Sequence, residues 1–233
     1  MRIIWLRPGT ANGFQCENCL RDRHLLETLS QAGHTVFSIP VYLPLAERPE
    51  IPVCYGALRF WIGTTWPLLQ RLPGFINALF DHRLLLSMIA RLAKTSNPSQ
   101  GAALTLATLC GAYDPRLDAE LFEAIDLLGE KPDAFLISTP LLAHQGRLAQ
   151  DCFQAPLYSL IGGEDHWVDK LGAGMTEQVW TLMRLESETC EAFITGGVAP
   201  EQRLVEQLRL ESRTCLETFP SKQEPQNPQK AQK

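Results

Sequence analysis

The sequence has no apolar run long enough to cross a bilayer. Its longest predominantly apolar stretches, residues 84–93 and 102–109, fall short of the roughly 20 residues that a spanning helix needs. The run 3–6, IIWL, is far too short for the hydrophobic region of a secretory signal, so no signal peptide is expected here. Positive charge is scarce as well: 21 Lys and Arg against 26 Asp and Glu give a formal net charge of −5. Proteins that bind nucleic acid or anionic membranes mainly by electrostatics need clustered Lys and Arg, so no nucleic-acid partner and no membrane span are expected. The glycine spacing never matches G-x-G-x-x-G, and no P-loop lysine is present. The 7 cysteines include one close pair, Cys16 and Cys19. An odd, scattered set of this kind is unlike a secreted disulfide framework, and reduced thiols in the cytoplasm are expected instead. A zinc site would need two further ligands, and no second C-x-x-C or H-x-x-x-H stands in the chain. The pair is therefore read as small packing residues at a helix start, with a redox dithiol or half a zinc site as the alternatives. No metal site is expected.

What is present is ordinary globular material, 45% apolar and 20% charged over 233 residues, enough for one large domain with a substantial core. Residues 2–34 set the pattern. A compact apolar run (3–6) has the form of a buried parallel strand. Arg7-Pro8-Gly9 breaks it, and Gly13 allows positive φ or a close ligand approach. Asn18 is placed to cap the helix that follows, whose apolar face is Leu25, Leu29 and Ala32, with Leu26 alongside. Gly33 supplies the stop.

The same alternation recurs downstream. Strands are expected at 35–41, 134–138, 157–161 and 192–195, and helices at 140–153, 177–187 and 200–213. Residues 46–52 read as a loop, and 53–62 as a strand or hairpin. The block at about 67–129 reads as a helical insertion with segments near 68–80, 83–93, 102–109 and 117–128. After Phe219 the chain is PSKQEPQNPQKAQK up to its last residues, a composition that cannot bury enough apolar surface to order itself. Strands alternating with helices, each strand ended by Gly or Pro, predict an α/β fold: a single Rossmann-like, doubly wound, mostly parallel sheet. The expected organisation is one domain over 1–217 and a disordered tail over 218–233.

Three constellations carry chemistry. The loop 8–18, between a strand and a helix start, can hold an anion on backbone N–H groups, although a tight packing turn explains it equally. The second is Gly162-Gly163-Glu164-Asp165-His166-Trp167, directly after a strand, on the side where open α/β sheets bind ligands. There Glu164 or Asp165 would orient a hydroxyl and His166 would act as a base; the plainer reading has Asp165 capping a helical turn with Trp167 packed on it. The third is the Arg21-Asp22-Arg23 cluster, in which Arg21 can reach a ligand in the loop while Arg23 belongs to a solvated face. Among the remaining histidines, His144 after a strand is the best candidate for substrate contact; His24 reads as a surface residue and His34 as a cap on helix carbonyls.

At these residues the chain resembles the N-terminal domain of glycosyltransferase family 4. The features are the opening strand and glycine loop, C-x-x-C-L-R-D at 16–22 and A-G-H at 32–34. V-Y-L-P-L at 41–45, G-E-D-H-W-V-D-K-L at 163–171 and E-A-F-I-T at 191–195 complete them. The likeness covers residues 1 to about 210. It implies one half of a GT-B fold, in which two Rossmann-like domains face each other across a cleft. It also implies retaining transfer of a sugar from a nucleotide-sugar co-substrate to a sugar or glycan acceptor, with no cofactor and no obligatory metal. By the same resemblance Gly9 and Gly13 would face the donor diphosphate, Glu164 and Asp165 would be acceptor-side or catalytic residues, and Arg21, His144 and His166 would contact substrate.

The departures shape the expectation further. The family's C-terminal domain, which holds the nucleotide and carries E-x7-E, has no counterpart here: Glu177 is followed eight positions on by Leu185. Where relatives carry a Ser-containing strand end, this chain has Thr195-Gly196-Gly197-Val198. The expected function is thus the acceptor-side half of a glycosyltransferase, dependent on a separate donor-binding domain or inactive. The alternative is a non-catalytic scaffold of the same fold that binds a glycan or a protein.

Overall fold

The computed structural model describes residues 1–8, 17–41, 106–113, 116–195, 201–210 and 215–217. The expected loop, strand and helices between 42 and 105, the loop glycines Gly9 and Gly13, and the expected tail all lie outside these residues.

The described elements are β1 (Arg2–Arg7), α1 (Glu17–Gln31), β2 (Thr35–Pro40), α2 (Arg116–Asp126), β3 (Ala134–Ile137) and α3 (Ala143–Phe153). They continue with β4 (Leu157–Leu160), α4 (Glu164–Val168), α5 (Ala173–Glu186), β5 (Ala192–Thr195), α6 (Glu201–Leu208) and β6 (Cys215–Glu217). All recorded strand pairs are parallel, in the order β2-β1-β3-β4-β5-β6. The α/β class with a Rossmann-like parallel sheet is therefore as the alternation predicts.

From β1 the chain steps one way to β2, then returns to place β3 on β1's other side. Right-handed crossovers in opposite directions put their helices on opposite faces of the sheet. β1 shows the result residue by residue. Ile3 and Trp5 join Leu25 of α1, Leu136 and Leu160 in one apolar cluster. Ile4 and Leu6 face the other way, into a larger cluster with Leu121 and Ile125 of α2, Ala143 and Ala149 of α3, Val179 and Met183 of α5, and Leu204 and Leu208 of α6. Burial on both faces is why the strand reads as an unbroken apolar run rather than an alternating one. α3 lies close enough to the sheet that a Cβ added at Gly146 would stand 3.0 Å from both Ile137 Cγ2 and Leu157 Cδ1.

Several boundaries move. α1 begins at Glu17, which puts Asn18 inside its first turn rather than at the cap. Ala32 falls beyond the helix end and is exposed, so the buried face of α1 is Leu25 with Leu26 and Leu29 partly covered. The stop at Gly33 is as expected: its φ is +82°, with His34 N–H donating to Leu29 O (3.0 Å) and Gly33 N–H to Ser30 O (3.1 Å), the pair of bonds that closes a Schellman end. The His34 ring lies 3.4 Å from the Met1 amine instead of on helix carbonyls. The expected helix 140–153 opens as a single 3-10 turn at Pro140–Leu142.

The last expected helix, 200–213, differs most. It stops at Leu208, where Arg209 takes φ +55° and the same two bonds form, Leu210 N–H to Val205 O and Arg209 N–H to Glu206 O. Leu210 is buried in the larger core, and that burial holds the non-glycine residue in the left-handed conformation. The turn frees the chain to add β6 beside β5. Among the described residues, no helix is long and apolar enough to cross a membrane.

Candidate functional site

The carboxyl ends of β1, β3 and β4 lie side by side, and the reversal in strand order falls between β1 and β3. Open α/β sheets bind ligands outside such a reversal, because the two flanking loops diverge to opposite faces and leave a crevice. Polar side chains from four separate parts of the sequence meet here.

α1 supplies the centre. Asp22 shares a helix face with Leu25 and Leu29, so its carboxylate is carried inward and is only 4% exposed. Buried carboxylates need partners, and among the described residues this one has two. Arg7, the last residue of β1, donates from Nε to Oδ2 at 3.3 Å, while Arg21 donates from Nε and Nη2 to Oδ1 at 3.3 and 3.2 Å. Arg21 Nη2 also reaches across to Ser138 O at 2.7 Å, tying α1 to the end of β3. Arg7 lies over the Trp5 ring, 5.7 Å from its centroid, and Trp5 Nε1 donates to Ser138 Oγ at 2.8 Å. The two guanidinium groups are thus fixed by one buried carboxylate, a carbonyl and an aromatic face.

β4 supplies the opposite side. Gly163, at φ +82°, turns the chain sharply into the short helix α4, and the Glu164 side chain folds back so that Oε2 accepts the Gly162 N–H at 2.7 Å. Oε1 is buried and has no hydrogen-bond partner among the described residues. Burial raises the Glu164 pKa above its usual value, because the charged form loses water. The Gly162 N–H, the Arg21 guanidinium and the Thr139 hydroxyl act the other way without cancelling that effect. Arg21 influences Glu164 through space; among the described residues its ion pair is with Asp22.

The candidates read from the sequence therefore separate. Arg21 and Glu164 come together. Asp165, next along the chain and just as buried, faces α6: Oδ2 lies 3.9 Å from Arg203 Nη1, and Arg203 Nη2 pairs with Asp169 Oδ2 at 2.8 Å. Consecutive residues on a helix point about 100° apart, and here the two adjacent acids lie beside different cations. His166 is exposed, on the far side of the turn from the buried acids. Trp167 packs on the larger core. His144 sits elsewhere: its Nδ1 is 3.2 Å from Glu186 Oε2, which also accepts from Arg147 Nε at 2.8 Å, and its ring edges Tyr113 and covers Gly111. These are packing and ion-pair roles. Gly9, Gly13 and Cys16 are outside the described residues, as is the side chain of Cys19. Among the described residues, no three His, Cys, Asp or Glu side chains gather as a metal-binding set.

Arg7, Thr139 and Arg203 carry no sequence signal of their own. Asp22 does: a charged residue three and seven positions before the two leucines of an apolar face must be buried and must find a cation. The chain matches no protein-family model and no curated protein.

Proposed function

We propose that the chain is the acceptor-side half of a retaining, nucleotide-sugar-dependent glycosyltransferase of the family 4 type. It would work with a donor-binding domain that these residues do not include. The observation that supports the reading is the convergence of Arg21 and Glu164. The two segments on which the resemblance rests, C-x-x-C-L-R-D and G-E-D-H-W-V-D-K-L, supply one residue each to the same crevice.

In this reading Arg21 and Glu164 hold the reacting end of the bound substrate. Asp22, Arg7 and Ser138 keep the Arg21 guanidinium in place, so little ordering is left to be done on binding. Asp165 acts at one remove, through the Arg203–Asp169 bridge that fixes α4. His166 and His144 are not needed. Gly9 and Gly13 retain the proposed place against the donor diphosphate, with the nucleotide-sugar as co-substrate and no cofactor.

The test is sugar transfer from a labelled nucleotide-sugar by the purified chain, alone and mixed with a donor-binding domain carrying E-x7-E. Transfer only in the mixture is expected, and Glu164→Ala removes it. Vigorous transfer by the chain alone refutes the dependence on a partner. Stable association with no transfer in any mixture, unaffected by Glu164→Ala, favours a scaffold that binds a glycan or a protein.

A further inference from the structure

Among the described residues the charge count around Arg21 is uneven. Arg7 and Arg21 bring two positive charges to the one carboxylate of Asp22. The other acid close by, Glu164, makes no ion pair with either arginine among the described residues; Oε2 is taken by the Gly162 N–H, and Oε1 has no partner within hydrogen-bond distance, although the Thr139 hydroxyl is near enough to act on the carboxyl. The Arg21 guanidinium is close enough to the buried Glu164 carboxyl to act on it through space.

We propose that this edge of the sheet binds an oxyanion, a carboxylate or phosphate group of a ligand, between the Arg21 guanidinium and the Glu164 carboxyl, with Glu164 holding a proton in the complex. The oxyanion accepts from Arg21 on one oxygen and from the Glu164 Oε1–H on another. That satisfies the orphaned atom and balances the surplus positive charge in one step. A neutral hydroxyl ligand would leave the surplus in place. An ionised Glu164 would repel the anion, so the proton is part of the site: one H⁺ is taken up from solvent for each anion bound above the Glu164 pKa.

The surroundings are consistent with an acid whose pKa burial raises. α1 presents Arg21 and Asp22, the end of β1 presents Arg7, and the end of β3 presents the uncharged Thr139. On α4 itself, Asp165 pairs with Arg203 of α6, which also holds Asp169 of the following turn; on α5, Arg184 pairs with Glu177. His166 is exposed. Among the described residues Arg21 is thus the cation that acts on Glu164, and burial outweighs it.

The inference goes beyond the transfer reading, and its test does not depend on that reading. Sulfate is the probe, since it stays ionised across the range and adds no titration of its own. Its binding to the purified chain is measured calorimetrically between pH 5 and 8, in two buffers of different ionisation enthalpy. Expected are uptake of about one proton at the upper pH and an affinity that falls by up to about tenfold per pH unit above the Glu164 pKa. Glu164→Gln, which keeps an N–H donor at that position, should fold normally by circular dichroism and flatten the pH profile. Arg21→Gln should weaken sulfate by about tenfold or more. Displacement of sulfate by a nucleoside diphosphate or by a hexose monophosphate supports the site and tells a donor from an acceptor as the source of the anion. Absence of sulfate binding to folded chain or an unchanged pH slope in Glu164→Gln overturns the proposal. Because sulfate binding needs no donor domain, either conclusion leaves the transfer assay to be decided separately.

Discussion

Removal of the Asp22 carboxylate is the sharpest perturbation of the site. Asp22 is 4% exposed, and its partners Arg7 and Arg21 are 11% and 16% exposed, so solvent screens the cluster weakly. Asp22→Ala strips two desolvated guanidinium groups of their shared counter-charge, a loss that in buried pairs costs about 3–5 kcal/mol. Against a total stability of about 5–15 kcal/mol, that is a large share. With a urea slope of about 3 kcal/mol per M, the midpoint should fall by about 1–2 M. The cost comes from the uncompensated charges rather than from the pair's own attraction. Replacing all three residues with apolar ones of similar volume (Arg7→Met, Asp22→Leu, Arg21→Met) should therefore recover most of the loss. Equilibrium urea unfolding followed by far-UV circular dichroism measures both variants. An Asp22→Ala chain within about 1 kcal/mol of wild type would show that water reaches the cluster and that the guanidinium groups are not held as described. A triple variant as unstable as the single one would refute the charge argument.

Glu164→Gln tests the buried acid through its pH dependence. Below the ordinary carboxyl pKa near 4.5 both folded and unfolded chains hold the proton, so the variant's stability difference from wild type is constant there. As pH rises through that value the unfolded chain releases its proton while the folded chain keeps it. Wild type then loses ground to the variant until the raised pKa is passed, by about 1.4 kcal/mol for each unit of elevation. Parallel pH-stability curves for the two proteins would rule the elevation out. Gly146→Ala drives a Cβ to 3.0 Å from Ile137 and Leu157, and should cost about 1–3 kcal/mol in thermal unfolding as α3 is pushed off the sheet. Gly33→Ala meets nothing within 4 Å, so its cost of about 1–2 kcal/mol is purely that of a side chain at φ +82°. A neutral Gly33→Ala would mean that the Schellman end is not formed in solution.

Much of this architecture is legible because local chemistry states it. The run IIWL is apolar without alternation, which only a strand covered on both faces requires, and β1 is such a strand. Gly33 marks the end of α1 because the left-handed turn there favours glycine. Arg209 makes the same turn without one, through the burial of Leu210, and so the end of α6 and the whole of β6 escape a reading based on residue type. The start of α5 is missed for a related reason. The expected helix begins at 177, whereas Gly172 at φ +86° leads directly into it at Ala173 and Gly174 sits in its first turn.

The candidate site divides in the same way. That Glu164 and Asp165 follow a strand, on the ligand side of the sheet, is fixed by the order of elements along the chain. Which of the two faces the crevice is not: it depends on the direction in which α4 leaves Gly163, and therefore on how α6 and its Arg203 pack beside it. Arg21 likewise announces only a charge near a helix start. Its partnership with Ser138 and its nearness to Glu164 arise when β3 and β4 pair in parallel on β1's free side, bringing together loops that are remote in sequence. By itself, the sequence determined the alternating strands and helices, the two-sided burial of β1 and the residue types at the strand ends, because each depends on neighbours along the chain. The tertiary structure alone decided that buried Glu164 lies within reach of Arg21 and buried Asp165 beside Arg203, because that depends on residues the chain supplies from far away.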